Sequence, residues 1–334
     1  MPPNRSGILA AGNFTMDYVK RIDRWPEQDT LASILDESRG NGGGPYNLLK
    51  DLVALGFQAP LEACGLVGDD ANGALIRQDC EQLGIVTTQL RTTTDAPTSY
   101  TDAMTVTATG RRTFFHQRGA NALLSPEHID LEQSNAKIFY LAYLMLLDAM
   151  DVLEDGITGT SQTLEQARAL GFITAVDSVS ANLDSFPAIA KAALPHADIF
   201  FANELEASGL LGTKVDATAR GLEKAALSIA ELGCPGYVVL HCSAGACVAN
   251  AEKVMAIQAS VNLPQSFIKG ATGAGDAFAA GFLFAFHNKQ TLESCFELAV
   301  CCAASSLQDV TSSAGVKTAK GCLELGKIHG YTAF

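Results

Sequence analysis

The sequence predicts an α/β fold: a mostly parallel sheet with helices on both faces, plus a small β-sheet lid. Three observations predict it. Helical patterns end four times at a Leu-Gly pair (Leu55-Gly56, Leu83-Gly84, Leu170-Gly171 and Leu232-Gly233), each just ahead of an apolar, strand-like run. Glycine just past a helix supplies a left-handed cap, and repeated helix–glycine–strand units mean crossovers between parallel strands. Two stretches, residues 14–41 and 98–115, are rich in β-formers or weakly patterned and carry no helix of their own. Finally, 48% hydrophobic and 18% charged residues over 334 positions suffice for a large core and argue against disorder.

Taken in order, Ile8 to Ala11 reads as a short buried strand closed by the turn Gly12-Asn13. Phe14 to Gly40 is polar and broken by Pro26, as in a β excursion away from the core. Gly42 to Asn47 is a glycine turn, after which Leu48, Leu49, Leu52 and Val53 mark one helix face that stops at Gly56. A strand over Leu61–Val67 and a helix over Asn72–Leu83 follow. Ser99 to Val106 and Thr113 to Phe115 flank the polar turn Thr109-Gly110-Arg111-Arg112, a hairpin. With residues 14–41 it forms a small sheet over one edge of the core, or it stands alone as a surface hairpin. Strands at 138–144, 172–176, 198–202 and 237–241 alternate with helical stretches, and the chain closes with helix (Thr291–Leu307), a Ser/Thr/Gly loop and helix.

A net charge of −13 argues against nucleic acid or an anionic membrane as partner, though not against a nucleotide held by backbone N–H groups and Mg²⁺. Nine scattered cysteines without a Cys-x-x-Cys pair, and no signal-peptide layout in Met1–Ala10, suggest reduced thiols in the cytoplasm. The longest apolar run, Ile138–Leu147, is too short to span a membrane. The histidines show no ligand spacing, and His116 and His241 read as structural. Ser243 lacks the leading glycine of a nucleophile elbow.

Chemistry concentrates between Gly270 and Gly281, Gly-Ala-Thr-Gly-Ala-Gly-Asp-Ala-Phe-Ala-Ala-Gly. The glycines sit where a helix over Ala277–Phe286 begins, so free N–H groups and the positive end of the helix dipole favour an anion there. Asp276 stands in that field, which favours its charged form. Phosphoryl transfer needs these parts: donors for developing charge and a base for the attacking hydroxyl. The bland alternative makes Asp276 a helix N-cap. Rival glycine motifs fail, because Gly270-x-x-x-x-Gly275 runs into Asp276 rather than Lys-Ser/Thr, and Gly273-x-Gly275-x-x ends on Phe278. In an open parallel sheet ligands bind beyond the carboxyl ends of strands, and Asp17, Asn203, Glu206 and Asp276 all follow predicted strands or the glycine turn. Asp17 also fits a solvated turn, and Asn203-x-x-Glu206 also fits a capping box.

Gly273-Ala274-Gly275-Asp276-Ala277-Phe278 resembles the C-terminal signature of the ribokinase-like (PfkB) carbohydrate kinases. The resemblance implies one three-layer kinase domain over residues 1–334, whose lid, about 14–41 and 92–118, covers the substrate and pairs two subunits into a homodimer. It implies a γ-phosphate held by Gly273, Ala274 and Gly275 with Asp276 as base. Asn203 and Glu206 then place Mg²⁺ through water, Thr272 and Gly245 belong to the ATP side, and a monovalent cation such as K⁺ is compatible. Asp17 resembles the family's early aspartate, and Gly42-Gly43-Gly44-Pro45-Tyr46-Asn47 its N-terminal signature, so Asp17, Gly43 and Asn47 would hold the acceptor; Arg118 is a further reach towards it. The sequence departs from the pattern in four places. Gly270-Ala271 replaces Asp-Thr, Leu240-His241-Cys242 replaces Thr-Leu-Gly, Pro45-Tyr46 replaces small residues, and Asp177-Ser178-Val179-Ser180 lacks Asp-x-Asn-x-Arg. These bear on nucleotide affinity and acceptor shape rather than on the base. The expected function is phosphoryl transfer from ATP to a hydroxyl of a small sugar or sugar-like alcohol. The alternatives are a nucleoside kinase and a non-catalytic relative that only binds. An oxidoreductase would need a Gly-rich turn after the first strand, where Gly12 stands alone.

Overall fold

The structure, a computed structural model, describes residues 5–180, 184–309, 311 and 313–334. Part of the N-terminal segment expected to lack a signal, and two positions of the closing Ser/Thr/Gly loop, lie outside those residues.

The chain runs β1 (Ile8–Gly12), β2 (Thr15–Ile22), β3 (Ile34–Gly42), α1 (Gly44–Leu55), β4 (Leu61–Gly68), α2 (Ala71–Gln82), β5 (Val86–Thr93), β6 (Tyr100–Val106) and β7 (Arg112–Gln117). Next come β8 (Ile138–Leu144), α3 (Asp148–Asp151), β9 (Leu153–Glu154), β10 (Ile157–Thr158), α4 (Gly159–Ala169), β11 (Ile173–Ser178), α5 (Phe186–Ala193), β12 (Ile199–Asn203), α6 (Glu204–Leu211) and α7 (Ala219–Ala230). It ends with β13 (Tyr237–His241), β14 (Gly245–Ala249), β15 (Val254–Ala259), α8 (Ala274–His287), α9 (Leu292–Ser306) and α10 (Ala319–His329).

Nine strands form the central sheet in the order β15-β14-β13-β12-β11-β8-β1-β4-β5. From β5 to β13 the pairings are parallel, as the helix–glycine–strand units require, and the four glycines behind that expectation all have positive φ. Successive residues of β1 and β8 point to opposite faces. Ile8, Ala10, Ile138 and Tyr140 join one core with α1, α8 and α9, while Leu9, Ala11, Phe139 and Leu141 join the other with α4, α5 and α7. Burying each such large side chain contributes about 1.5–3 kcal/mol, so the alternation locks the register.

The antiparallel edge β13-β14-β15 has no counterpart in the sequence reading. Gly245–Ala249 is wholly buried and packs under α7, so its residues read as undifferentiated apolar chain. Residues 14–41 and the hairpin do combine, in a separate sheet of order β3-β2-β6-β7. Residues 92 and 93, counted with the lid from the sequence, close β5 of the central sheet.

The chain steps from β1 outward through β4 to β5, then returns to β8 on the other side of β1 and continues to β13. Between β1 and β8 the winding therefore reverses, and the carboxyl ends there open a crevice suited to ligands.

Candidate active site

The N-terminus of α8 lies over that crevice. Gly273, in the left-handed region at φ 79°, is the N-cap and makes no side-chain cap bond. Asp276 is therefore not a cap: it sits inside the first turn, whose first intrahelical bond runs from Ala277 N–H to the Gly273 carbonyl at 2.9 Å. The N–H groups of Gly275 and Asp276 precede that bond, while the Ala274 N–H turns back on the Ala271 carbonyl at 3.3 Å.

Asp276 is 3% exposed. Its Oδ2 accepts from Asn47 Nδ2 at 2.8 Å, and its Oδ1 accepts from the Tyr143 hydroxyl. Burial pushes its carboxyl up to about 6, against the pull of those two donors. The helix dipole favours the charged form, yet burial raises the carboxyl all the same. The group is still mostly ionised at pH 7, so a base remains available.

Asn47 reaches Asp276 because α1 starts earlier than the glycine turn suggested. Gly43 is its N-cap at φ 93°, where a Cβ would come within 2.0 Å of the Asn13 carbonyl, and Pro45 occupies the first turn. Tyr46, in place of a small residue, is buried and donates its hydroxyl to Asp79. One turn beyond Asn47, Asp51 is fully buried and neither of its oxygens has a hydrogen-bond partner among the described residues.

Asp17, on β2, points under the small sheet. Burial raises its carboxyl to about 7; a bond from Thr101 opposes this and the Asp276 charge adds to it. It lines a narrow cleft with Thr101, Arg112, Phe114 and Thr272, and Arg112 donates to the Thr272 hydroxyl. Thr272 thus faces the small sheet rather than the larger cleft.

On the other side of the Gly270–Gly275 loop lies a cleft of about 620 Å³, lined among others by Asn203, His241, Cys242, Gly245, Ala274, Gly275 and Phe278. His241 tilts against Phe278 at 5.0 Å between ring centres, and burial lowers its pKa to about 4, so it is neutral. Asn203 caps α6, accepting from the Leu205 and Glu206 N–H groups, each at 2.9 Å. Glu206 completes the box by accepting from Asn203 N–H at 2.9 Å. Its oxygens also take Asn203 Nδ2 at 2.8 Å, Ser180 Oγ at 2.8 Å and Ser178 Oγ at 3.1 Å. With four donors already on that carboxylate, the pair does not suit direct metal ligation, and no group of three or more metal-ligating side chains occurs among the described residues. It does suit a hydrated Mg²⁺, which keeps its waters and needs only nearby fixed negative charge.

Arg118 lines neither of these two clefts. It donates to the Met145 carbonyl at 3.0 Å and to Asp148 at 2.6 Å. Sequence reasoning missed Tyr143, Tyr140, Asp177 and Arg112. Tyr140 donates to Asp177 at 3.1 Å, and both are buried between Asp276 and Glu206 in the electrostatic sense that each feels both charges. The one available signal was position: Tyr143 and Asp177 lie at the carboxyl ends of strands β8 and β11.

Residues 7–319 match the family described as pfkB family carbohydrate kinase. Among characterised relatives, the ATP-dependent ribose-1-phosphate kinase of Halopiger xanaduensis is 28% identical over 89% of this chain and 90% of its own. A nucleoside kinase of Methanothermobacter thermautotrophicus is 25% identical over 90% and 89%. Among solved structures, ribokinase from Giardia lamblia superposes with a TM-score of 0.81 at 19% identity, covering 97% of this chain and all (100%) of that one. Arabidopsis thaliana ribokinase complexed with ribose and ATP gives 0.79 at 22% identity, covering 97% and 99%.

Proposed function

The chain belongs to the pfkB family of carbohydrate kinases, and we propose that it moves the γ-phosphoryl group of ATP onto a hydroxyl of a small sugar with Asp276 as base. It is a sugar kinase, a phosphotransferase with an alcohol acceptor. One observation carries the site assignment: a buried but ionisable carboxylate in the first turn of α8, with a wide cleft on one side of its loop and a narrow polar one on the other.

In this reading ATP lies in the wide cleft, its base end against apolar residues such as Leu263, Val300 and Leu307, its phosphates towards Gly273, Ala274 and Gly275. The acceptor lies under the small sheet, with a hydroxyl held by Asp17. Asp276 takes the proton from the attacking hydroxyl while the new O–P bond forms and the bond to ADP breaks. The N–H groups at the start of α8 stabilise the charge on the transferred group. Gly43 and Asn47 border the acceptor, and Asn47 also holds the base. Mg²⁺, placed through water by Asn203 and Glu206, would neutralise phosphate charge when bound. The single kinase domain over 1–334, the small sheet β3-β2-β6-β7 as lid and the cytoplasmic setting complete the proposal. A homodimer through that sheet and its β2–β3 connection is supported by exposed Leu31 in the connection, Ile34 and Leu35 on β3 and Phe115 on β7.

Arg112 favours a second acceptor class. A half-buried cation in the acceptor cleft, beside Thr272, suits a sugar that already carries phosphate, the substrate type named for the Halopiger relative.

The test is ATP consumption across a panel of sugars, sugar phosphates and nucleosides, repeated with Asp276→Asn. General-base catalysis is worth about 10²–10⁴ in rate. On the best acceptor kcat should fall by that factor, with nucleotide binding and melting temperature little changed. A wild-type protein that binds nucleotide and turns over no acceptor would instead be a non-catalytic relative.

A further inference from the structure

We propose that Tyr143 is a positioning residue for phosphoryl transfer: its phenol and the Asn47 amide grip the two oxygens of the Asp276 carboxylate from different elements. The inference rests on Asp276 being the base.

Tyr143 is the last residue but one of β8, beside the point where the sheet winding reverses, and its ring lies against the start of α1. A Cβ on Gly44 would come within 2.8 Å of the Tyr143 Cζ, so the glycine there is what lets ring and helix approach. The ring is thereby held with its hydroxyl on Asp276 Oδ1. Among the described residues, Asn47 and Tyr143 are the side chains that donate hydrogen bonds to Asp276. The other titratable groups facing it are Asp17 from β2, Asp51 from α1, Tyr140 from β8, Asp177 from β11 and His241 beside Gly275. The Asp276 charge pushes those carboxyls up, and neutral His241 offers no counter-charge. A buried carboxylate so surrounded stays ionised only if donors meet it. A carboxylate has about four acceptor positions; with one taken on each oxygen, the rest stay open to an incoming hydroxyl, and the plane of the group is set by its two partners. Tyr143 therefore controls both the charge of the base and the direction from which the acceptor must approach.

The experiment is the pH profile of kcat for wild type and Tyr143→Phe on the best acceptor. Wild type should lose activity as pH falls through about 6, where Asp276 protonates. Phe keeps the ring packing and removes one charge-assisted donor, so the acid limb should move up by about one pH unit, the scale of one such bond. The variant would be impaired about tenfold below pH 6 and would recover to within about threefold of wild type near pH 9. Tyr140→Phe, whose hydroxyl serves Asp177 instead, should leave the limb in place. A uniform loss at every pH with the limb unmoved, or no change at all, overturns the proposal. Should Tyr143→Phe not fold, 3-fluorotyrosine at position 143, a stronger donor, should move the limb down, and an unmoved limb overturns it equally. An unmoved limb alongside an inactive Asp276→Asn removes only the role of Tyr143. Near-normal turnover by Asp276→Asn removes the base reading beneath it.

Discussion

Two buried carboxyls one helix contact apart show how single residues divide the work. Asp276 is met by two donors and stays usable as a base near neutrality. Asp51 is buried with neither oxygen paired among the described residues, and burial together with the Asp276 charge raises its pKa well above the ordinary value. Its folded state therefore holds the proton more tightly than the unfolded chain, whose aspartates titrate near about 3.9. The stability this lends is complete below that pH and is lost as pH rises towards the folded value. Asp51→Asn cannot ionise and should be the more stable protein at pH 8, by about 1–3 kcal/mol, with the gap closing towards pH 4. Urea denaturation at the two pH values checks this, and a gap that widens on acidification would mean that Asp51 is charged and paired in solution.

Among the elements, the start of α6 carries its capping box and the proposed placing of Mg²⁺ in the same atoms. Asn203 and Glu206 form the capping box that the spacing suggested, and Ser178 and Ser180, from the departure at the end of β11, add two hydroxyls to the Glu206 carboxylate. Glu206→Gln keeps the shape but sets an amide against donors. It should cost about 1–3 kcal/mol in stability and raise the Mg²⁺ concentration needed for half-maximal rate, since the fixed charge facing the hydrated ion is gone. A Mg²⁺ titration alongside a melting curve separates the two roles: lowered stability with unchanged Mg²⁺ dependence leaves only the cap.

For the whole molecule, the small sheet is tied to the large body by Met16 in the core, by Tyr18 to Asn72 and Asn41 to Asp79, each at 3.1 Å, and by the Arg112 to Thr272 bond, which reaches the loop before α8. The β2–β3 connection exposes Leu31 at 80% and β3 exposes Leu35 at 58%, with Trp25 of that connection stacked on Phe115 at 6.0 Å. Hydrogen exchange of residues 100–117 should slow when the best acceptor is bound, because a closed lid excludes water that would attack the phosphoryl group. Equal exchange with and without acceptor counts against closure. In sedimentation, wild type should run as a dimer and Leu31→Glu/Leu35→Glu as a monomer; a monomeric wild type removes the pairing.

Local features carried most of the architecture. The Leu-Gly helix ends, the buried strands at 8–11 and 138–144, the β-rich hairpin and the placing of Asp17 and Asp276 beyond strand or turn were all readable, because caps, turns and periodicity act over a few residues. The sequence by itself thus determined that a carboxylate would stand at a glycine-rich helix start beside a crevice. Tertiary structure alone decided what that carboxylate is. Asn47 lies 229 positions away and Tyr143 lies 133 away, and no pattern in either stretch announces a bond to Asp276. It also sent Arg118 to Asp148, turned β14 and β15 against β13, and raised by burial an acid whose charged form the helix dipole favours. Desolvation depends on every atom that excludes water from a site, so the protonation of the base is a property of the packed molecule and not of any segment of its chain.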